Sequence, residues 1–102
     1  MAILKGILKD SRIHYVDLDR RLRLRLKELP RGSILKRRIG RKDYYYLIFR
    51  DGRRVISRYL GKARPVVIEK NIRERRLIIQ QLKEVRDNLR LLGRLEIRKR
   101  NG

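Results

Sequence analysis

Residues 32–62, GSILKRRIGRKDYYYLIFRDGRRVISRYLGK, decide the fold. Three runs rich in β-branched and aromatic residues are separated by glycine-bearing breaks, the pattern of an antiparallel three-stranded sheet. Asp51-Gly52 joins the second run to the third, and this dipeptide suits the positive φ angles of a two-residue hairpin loop. With those two residues as the loop, Arg50 faces Arg53, and the pairs Phe49–Arg54, Ile48–Val55, Leu47–Ile56, Tyr46–Ser57 and Tyr45–Arg58 follow. The first run pairs with the second across residues 40–43. With Arg41 and Lys42 at the tip, Ile39 lies opposite Tyr44 and Leu35 opposite Ile48. A tip of odd length would exchange the faces of the first strand.

Side chains alternate along a strand, so this register sorts them onto two faces. Leu35, Ile39, Tyr44, Tyr46, Ile48, Val55 and Tyr59 make one, which reads as the core face. Ile34, Lys36, Arg38, Tyr45, Leu47, Phe49, Arg54, Ile56 and Arg58 make the other, where cations interleave with flat rings. That mixture suits phosphates on the cations and bases or sugars on Tyr45 and Phe49. The residues expected to hold nucleic acid are therefore Lys36, Arg38, Arg41, Lys42, Tyr45, Arg53, Arg54, Arg58 and Lys62.

A chain of 102 residues makes one small domain rather than two independent cores. It carries 31 Lys and Arg against 11 Asp and Glu, a formal net charge of +20. Such a molecule repels itself unless it meets a polyanion, whereas an ion-pair network would have near-balanced signs. Residues 31–64 hold twelve Lys or Arg against Asp43 and Asp51, which makes the sheet the electrostatic centre. There is no cysteine, hence neither a disulfide framework nor a Cys-based zinc site. No apolar run approaches the roughly 20 residues that span a bilayer, so a cytoplasmic protein without a membrane partner is expected.

The flanks read as helices, giving an α+β fold with the sheet between an N-terminal helix and a long C-terminal one. Residues 1–31 form an N-terminal segment whose first part, 1–16, has no clear reading. Asp17 and Asp19 are placed to cap a helix over 17–29, with Leu18, Leu22, Leu26 and Leu29 on one side and Pro30 at its end. The same stretch contains LRLRLK, which alternates, so a strand with Leu22, Leu24 and Leu26 inward competes. Pro65 suits the first turn of a helix over 65–97. Within it Ile78, Leu82, Val85, Leu89 and Leu92 recur in steps of four and three, a short heptad seam. The seam has three candidate partners: the 17–29 helix, a second copy of the chain, or another protein. Residues 98–102, RKRNG, read as a basic tail.

Catalysis requires a placed acid, base, nucleophile or metal, and the inventory is thin: no cysteine, the single His14, and scattered carboxylates. Asp10, Asp17 and Asp19 suggest a metal site less simply than capping explains the last two. Gly32, Gly40, Gly52 and Gly61 fall at turns, outside the strand-to-helix setting of a phosphate-cradling loop. No enzyme, cofactor or metal is expected.

Leu29-Pro30-Arg31-Gly32-Ser33, then Lys36, Tyr44-Tyr45-Tyr46-Leu47, Gly52 and Tyr59-Leu60-Gly61-Lys62 ahead of a heptad helix resemble a small uncharacterised basic prokaryotic protein family. The same segments are similar to the small N-terminal module of some transposases and, more loosely, to the arm-binding domain of tyrosine recombinases. The likeness covers about residues 29–92. It implies a nucleic-acid-associated module from a mobile-element or phage-like setting, with no catalytic part like that of the transposases expected. The expectation is thus a non-catalytic DNA- or RNA-binding protein. The alternative is an accessory or inhibitor protein that binds a nuclease or a guide-RNA ribonucleoprotein.

Overall fold

The computed structural model describes the backbone of residues 2–101 and the side chains of residues 4–97. The order is α1 (Ala2–Glu28), β1 (Ser33–Ile39), β2 (Lys42–Asp51), β3 (Arg54–Gly61) and α2 (Val66–Asn101), an α+β fold with one antiparallel sheet in the order β1-β2-β3. The chain, expected to be a single domain over 1–102, divides into two compact units. One is Leu29–Arg76; the other joins Met1–Glu28 to Leu77–Gly102. The division has a physical cause: a sheet this small cannot cover a helix as long as α2, whose second part pairs with α1 instead.

Both hairpins turn on glycine. The first loop is Gly40-Arg41, with Ile39 opposite Lys42, and the second is Gly52-Arg53, with Asp51 opposite Arg54. The expected tips, Arg41-Lys42 and Asp51-Gly52, are each displaced by one residue. In both loops glycine takes the first position at positive φ, 67° for Gly40 and 61° for Gly52, and no other residue type has positive φ among the described residues. Displacing a two-residue loop by one position moves each cross-strand partner by two. Leu35 therefore meets Tyr46, and Tyr46 meets Tyr59, while every side chain from Ser33 to Tyr59 keeps the face that alternation assigns it.

In the unit formed by α1 and the second part of α2, helix begins at Ala2, well ahead of the expected start at 17, and ends at Glu28. Asp17 and Asp19 do not cap it. They sit within the helix and pair with arginines one turn on: Asp17 with Arg21 at 3.0 Å and Asp19 with Arg23 at 2.9 Å. These pairs accompany a helical LRLRLK, in which Leu22 and Leu26 are half-buried and Leu24 is exposed. The strand alternative would have put all three on one side. Half-buried Leu8, Ser11, Tyr15, Leu18 and Leu22 recur in steps of three and four, a seam matching that of α2.

On α2, Ile78, Leu82 and Val85 are buried within the single chain, and Leu89 and Leu92 are half-buried. Of the three candidate partners for the heptad seam, the chain's own α1 is the one that shares its compact unit. Arg12 of α1 reaches Glu96 of α2 at 2.8 Å. Pro65 stands one residue before α2, its carbonyl accepting from the Glu69 amide at 2.9 Å. The helix passes through Gly93 and continues to Asn101, so the backbone of the expected 98–102 tail is helical as far as it is described; the side chains of that tail lie outside the described residues.

Gly32 is the tightest backbone position. Its φ is 118°, and a Cβ there would overlap the carbonyl oxygen of Ile48. Gly32→Ala is expected to cost about 2–4 kcal/mol in urea denaturation, overlap and left-handed backbone together. Gly40→Ala, with open space around it, should lose only about 1–2 kcal/mol. Leu82→Ala should lose about 2–5 kcal/mol, as for a buried leucine.

Candidate nucleic-acid interface

The two faces of the sheet differ in cover, and the cover is the reverse of the expectation. Leu47, at the centre of β2, is 7 % exposed, and Ile34 and Ile56 on the same face are half-buried. Ile34, Tyr45 and Lys36 share a cavity wall with Ile72 and Glu69 of α2, so the first turns of α2 lie over this face. The opposite face, expected to be the core, stays open: Leu35, Ile39, Val55 and Tyr59 are 43, 56, 63 and 52 % exposed. Two physical facts account for the exchange. Tyrosine has an apolar body and a polar tip and tolerates either environment. Long cations on the two edge strands reach water from the rim of a covered face, so Lys36, Arg38, Arg54 and Arg58 do not keep a helix off.

The open face is built around three tyrosines. Tyr46 and Tyr59 are cross-strand partners with ring centroids 5.4 Å apart, and Tyr44 lies 6.3 Å from Tyr59. Two cations border them. The Arg37 guanidinium sits 6.0 Å from the Tyr46 ring centre and the Lys62 ammonium 5.9 Å from that of Tyr44. Lys62 gets there through an irregularity in β3: Tyr46 pairs with Tyr59 but Tyr45 pairs with Gly61, so Leu60 is the extra residue of a bulge. Without it, strict alternation would carry Lys62 to the covered face. Gly61, at φ 129°, takes the unusual backbone conformation. Arg50 and Lys42 lie on this face too, each exposed near a strand end.

The nine residues expected to bind nucleic acid are therefore distributed rather than gathered. Lys62 and Lys42 lie on the open face, and Arg41 and Arg53 occupy the hairpin loops. Arg38, Arg54 and Arg58 are exposed at the rim of the covered face, with Arg58 5.8 Å from the Phe49 ring centre. Lys36 and Tyr45 line the cavity beneath α2, and Lys36 approaches Asp43 at 3.6 Å. Tyr44, Tyr46, Tyr59 and Arg37 were not singled out from sequence as binding residues, although the tyrosines were visible as a group. The assembly residues Ile78, Leu82, Val85, Leu89 and Leu92 belong to the other unit.

Among the described residues no group of His, Asp or Glu is arranged to hold a metal ion. His14 is exposed and lies edge-on to Tyr15. No described helix is long and apolar enough to cross a membrane.

Fold and surface together define a small basic module with one open, aromatic sheet face. Residues 15–70, more than half of the chain, match the family described as a domain of unknown function, DUF6788, and the protein belongs to that family. No curated protein and no solved structure gives a significant match.

The exchanged faces are tested by stability. Leu47→Ala should lose about 2–5 kcal/mol on denaturation, whereas Tyr59→Ala should lose no more than about 1 kcal/mol. A larger loss for Tyr59→Ala than for Leu47→Ala would restore the opposite assignment.

Proposed function

We propose that this protein binds nucleic acid, DNA or RNA, through the open face of its sheet and performs no chemistry on it. The observation that carries the reading is the cluster of Tyr44, Tyr46 and Tyr59, edged by Arg37 and Lys62, on an exposed sheet in a chain of net charge +20. Flat rings on a sheet stack with bases splayed out of a helix, and cations beside them neutralise the phosphates that join those bases. Unpaired strands fit this surface best, because a duplex keeps the faces of its bases stacked inside.

The non-catalytic part of the reading is supported by how the carboxylates are used. Asp17, Asp19, Glu28, Glu69 and Glu96 each engage an arginine. The setting we propose, a mobile or phage-like genetic element in the cytoplasm, rests on the likeness of the YYYL and YLGK segments to transposase modules.

Binding should be steeply salt-dependent. If about six phosphates are neutralised, log K for a single-stranded oligonucleotide should fall against log salt with a slope near roughly −4, measured by fluorescence anisotropy. A slope shallower than about −2 would contradict the electrostatic reading. At fixed salt, Tyr59→Ala should weaken binding by about 1–3 kcal/mol with the melting temperature nearly unchanged.

A further inference from the structure

The covered side of the sheet holds a cavity that the open-face reading does not use. Its volume is about 650 Å³, and all its lining residues belong to the Leu29–Arg76 unit. Three elements contribute to it. Edge strand β1 supplies Ser33, Ile34 and Lys36; β2 supplies Tyr45; residues 64–76 supply Arg64, Glu69, Ile72, Arg73 and Arg76.

The charges in the cavity are unequally committed. Arg64 is held by Glu69 at 3.2 Å, and Lys36 has a long contact to Asp43 at 3.6 Å. Arg73 and Arg76, one turn apart on α2, make no ion pair among the described residues. Two uncommitted guanidiniums with an ammonium and a serine hydroxyl form a donor set for a phosphate dianion, since guanidinium binds phosphate oxygens in pairs. Apart from the mutually paired Arg64 and Glu69, the rest of the wall is of another kind: the Tyr45 ring with the apolar side chains of Ile34 and Ile72. A ligand matching both parts has a phosphate at one end and a flat ring at the other, and the volume lies in the range of small-molecule sites.

We infer that this cavity is a nucleotide site that holds a phosphate monoester on Lys36, Arg73 and Arg76 and the nucleoside against Tyr45. The same chemistry has two sources, a free mononucleotide or the 5′-phosphorylated end of a strand. The inference stands apart from the open-face reading, because Tyr59 and Arg73 serve opposite sides of the sheet.

Calorimetric titration of the full chain at physiological salt with AMP, with adenosine, and with one oligonucleotide bearing either a 5′-phosphate or a 5′-hydroxyl tests it. AMP is expected to bind saturably at one site and adenosine at least roughly tenfold more weakly, as for loss of a charge-assisted contact. The double variant Arg73→Ala/Arg76→Ala should lose that preference while keeping its melting temperature, and Tyr59→Ala should retain it. A gain from the 5′-phosphate on the oligonucleotide assigns the site to a strand end; AMP binding without that gain assigns it to a free nucleotide. The inference is overturned if AMP does not bind, if adenosine binds equally, or if the charge-matched variant Arg90→Ala/Arg94→Ala loses as much as Arg73→Ala/Arg76→Ala. Loss of oligonucleotide binding in Tyr59→Ala with AMP binding intact would separate the two sites.

Discussion

One helical segment has to cover a three-stranded sheet, and it can cover only one side. Within the Leu29–Arg76 unit the first turns of α2 supply that cover, with Ile72 buried on the helix and Leu47 buried on the sheet. A sheet shielded on one side leaves its other face to water or to a ligand. Here that face presents tyrosines instead of short polar side chains. Exposed apolar and aromatic residues are ordinary singly, but a contiguous set on one sheet face, rimmed by cations, is the kind of surface that marks a binding site.

Much of the fold was legible in the sequence, and the misreadings have distinct causes. Strand content and order follow from the β-branched and aromatic runs between Gly32, Gly40, Gly52 and Gly61. The face membership of each side chain survived an error in both hairpin tips, because displacing a two-residue loop changes partners by two and leaves parity intact. Which face was covered could not be taken from alternation alone, since both faces carry apolar residues and tyrosine suits either environment. Deciding it required knowing where residues 66–76 lie. The bulge at Leu60 was equally hidden: Tyr-Leu-Gly-Lys reads as strand and turn, and nothing local says that Lys62 comes to rest near Tyr44.

The N-terminal helix shows a different limit. Asp17 and Asp19 look like caps when only the leucines that follow are counted, yet as the acidic partners of Arg21 and Arg23 they support a helix already under way. Such exposed pairs contribute only a few tenths of a kcal/mol each, about the scale of intrinsic propensity. The heptad spacing of α2 was clear, but periodicity does not say whether its partner lies in the same chain. In the structure Leu82 and Val85 are buried within one chain, in the unit that holds α1.

Nucleic acid is proposed to lie on the tyrosine face of the sheet. Photo-crosslinking a single-stranded oligonucleotide carrying 5-iodouracil, followed by mass-spectrometric mapping of the attached residue, tests it most directly. The expected result is attachment at Tyr44, Tyr46 or Tyr59. Attachment confined to Tyr15 on α1, or none under conditions where the oligonucleotide is bound, would contradict it.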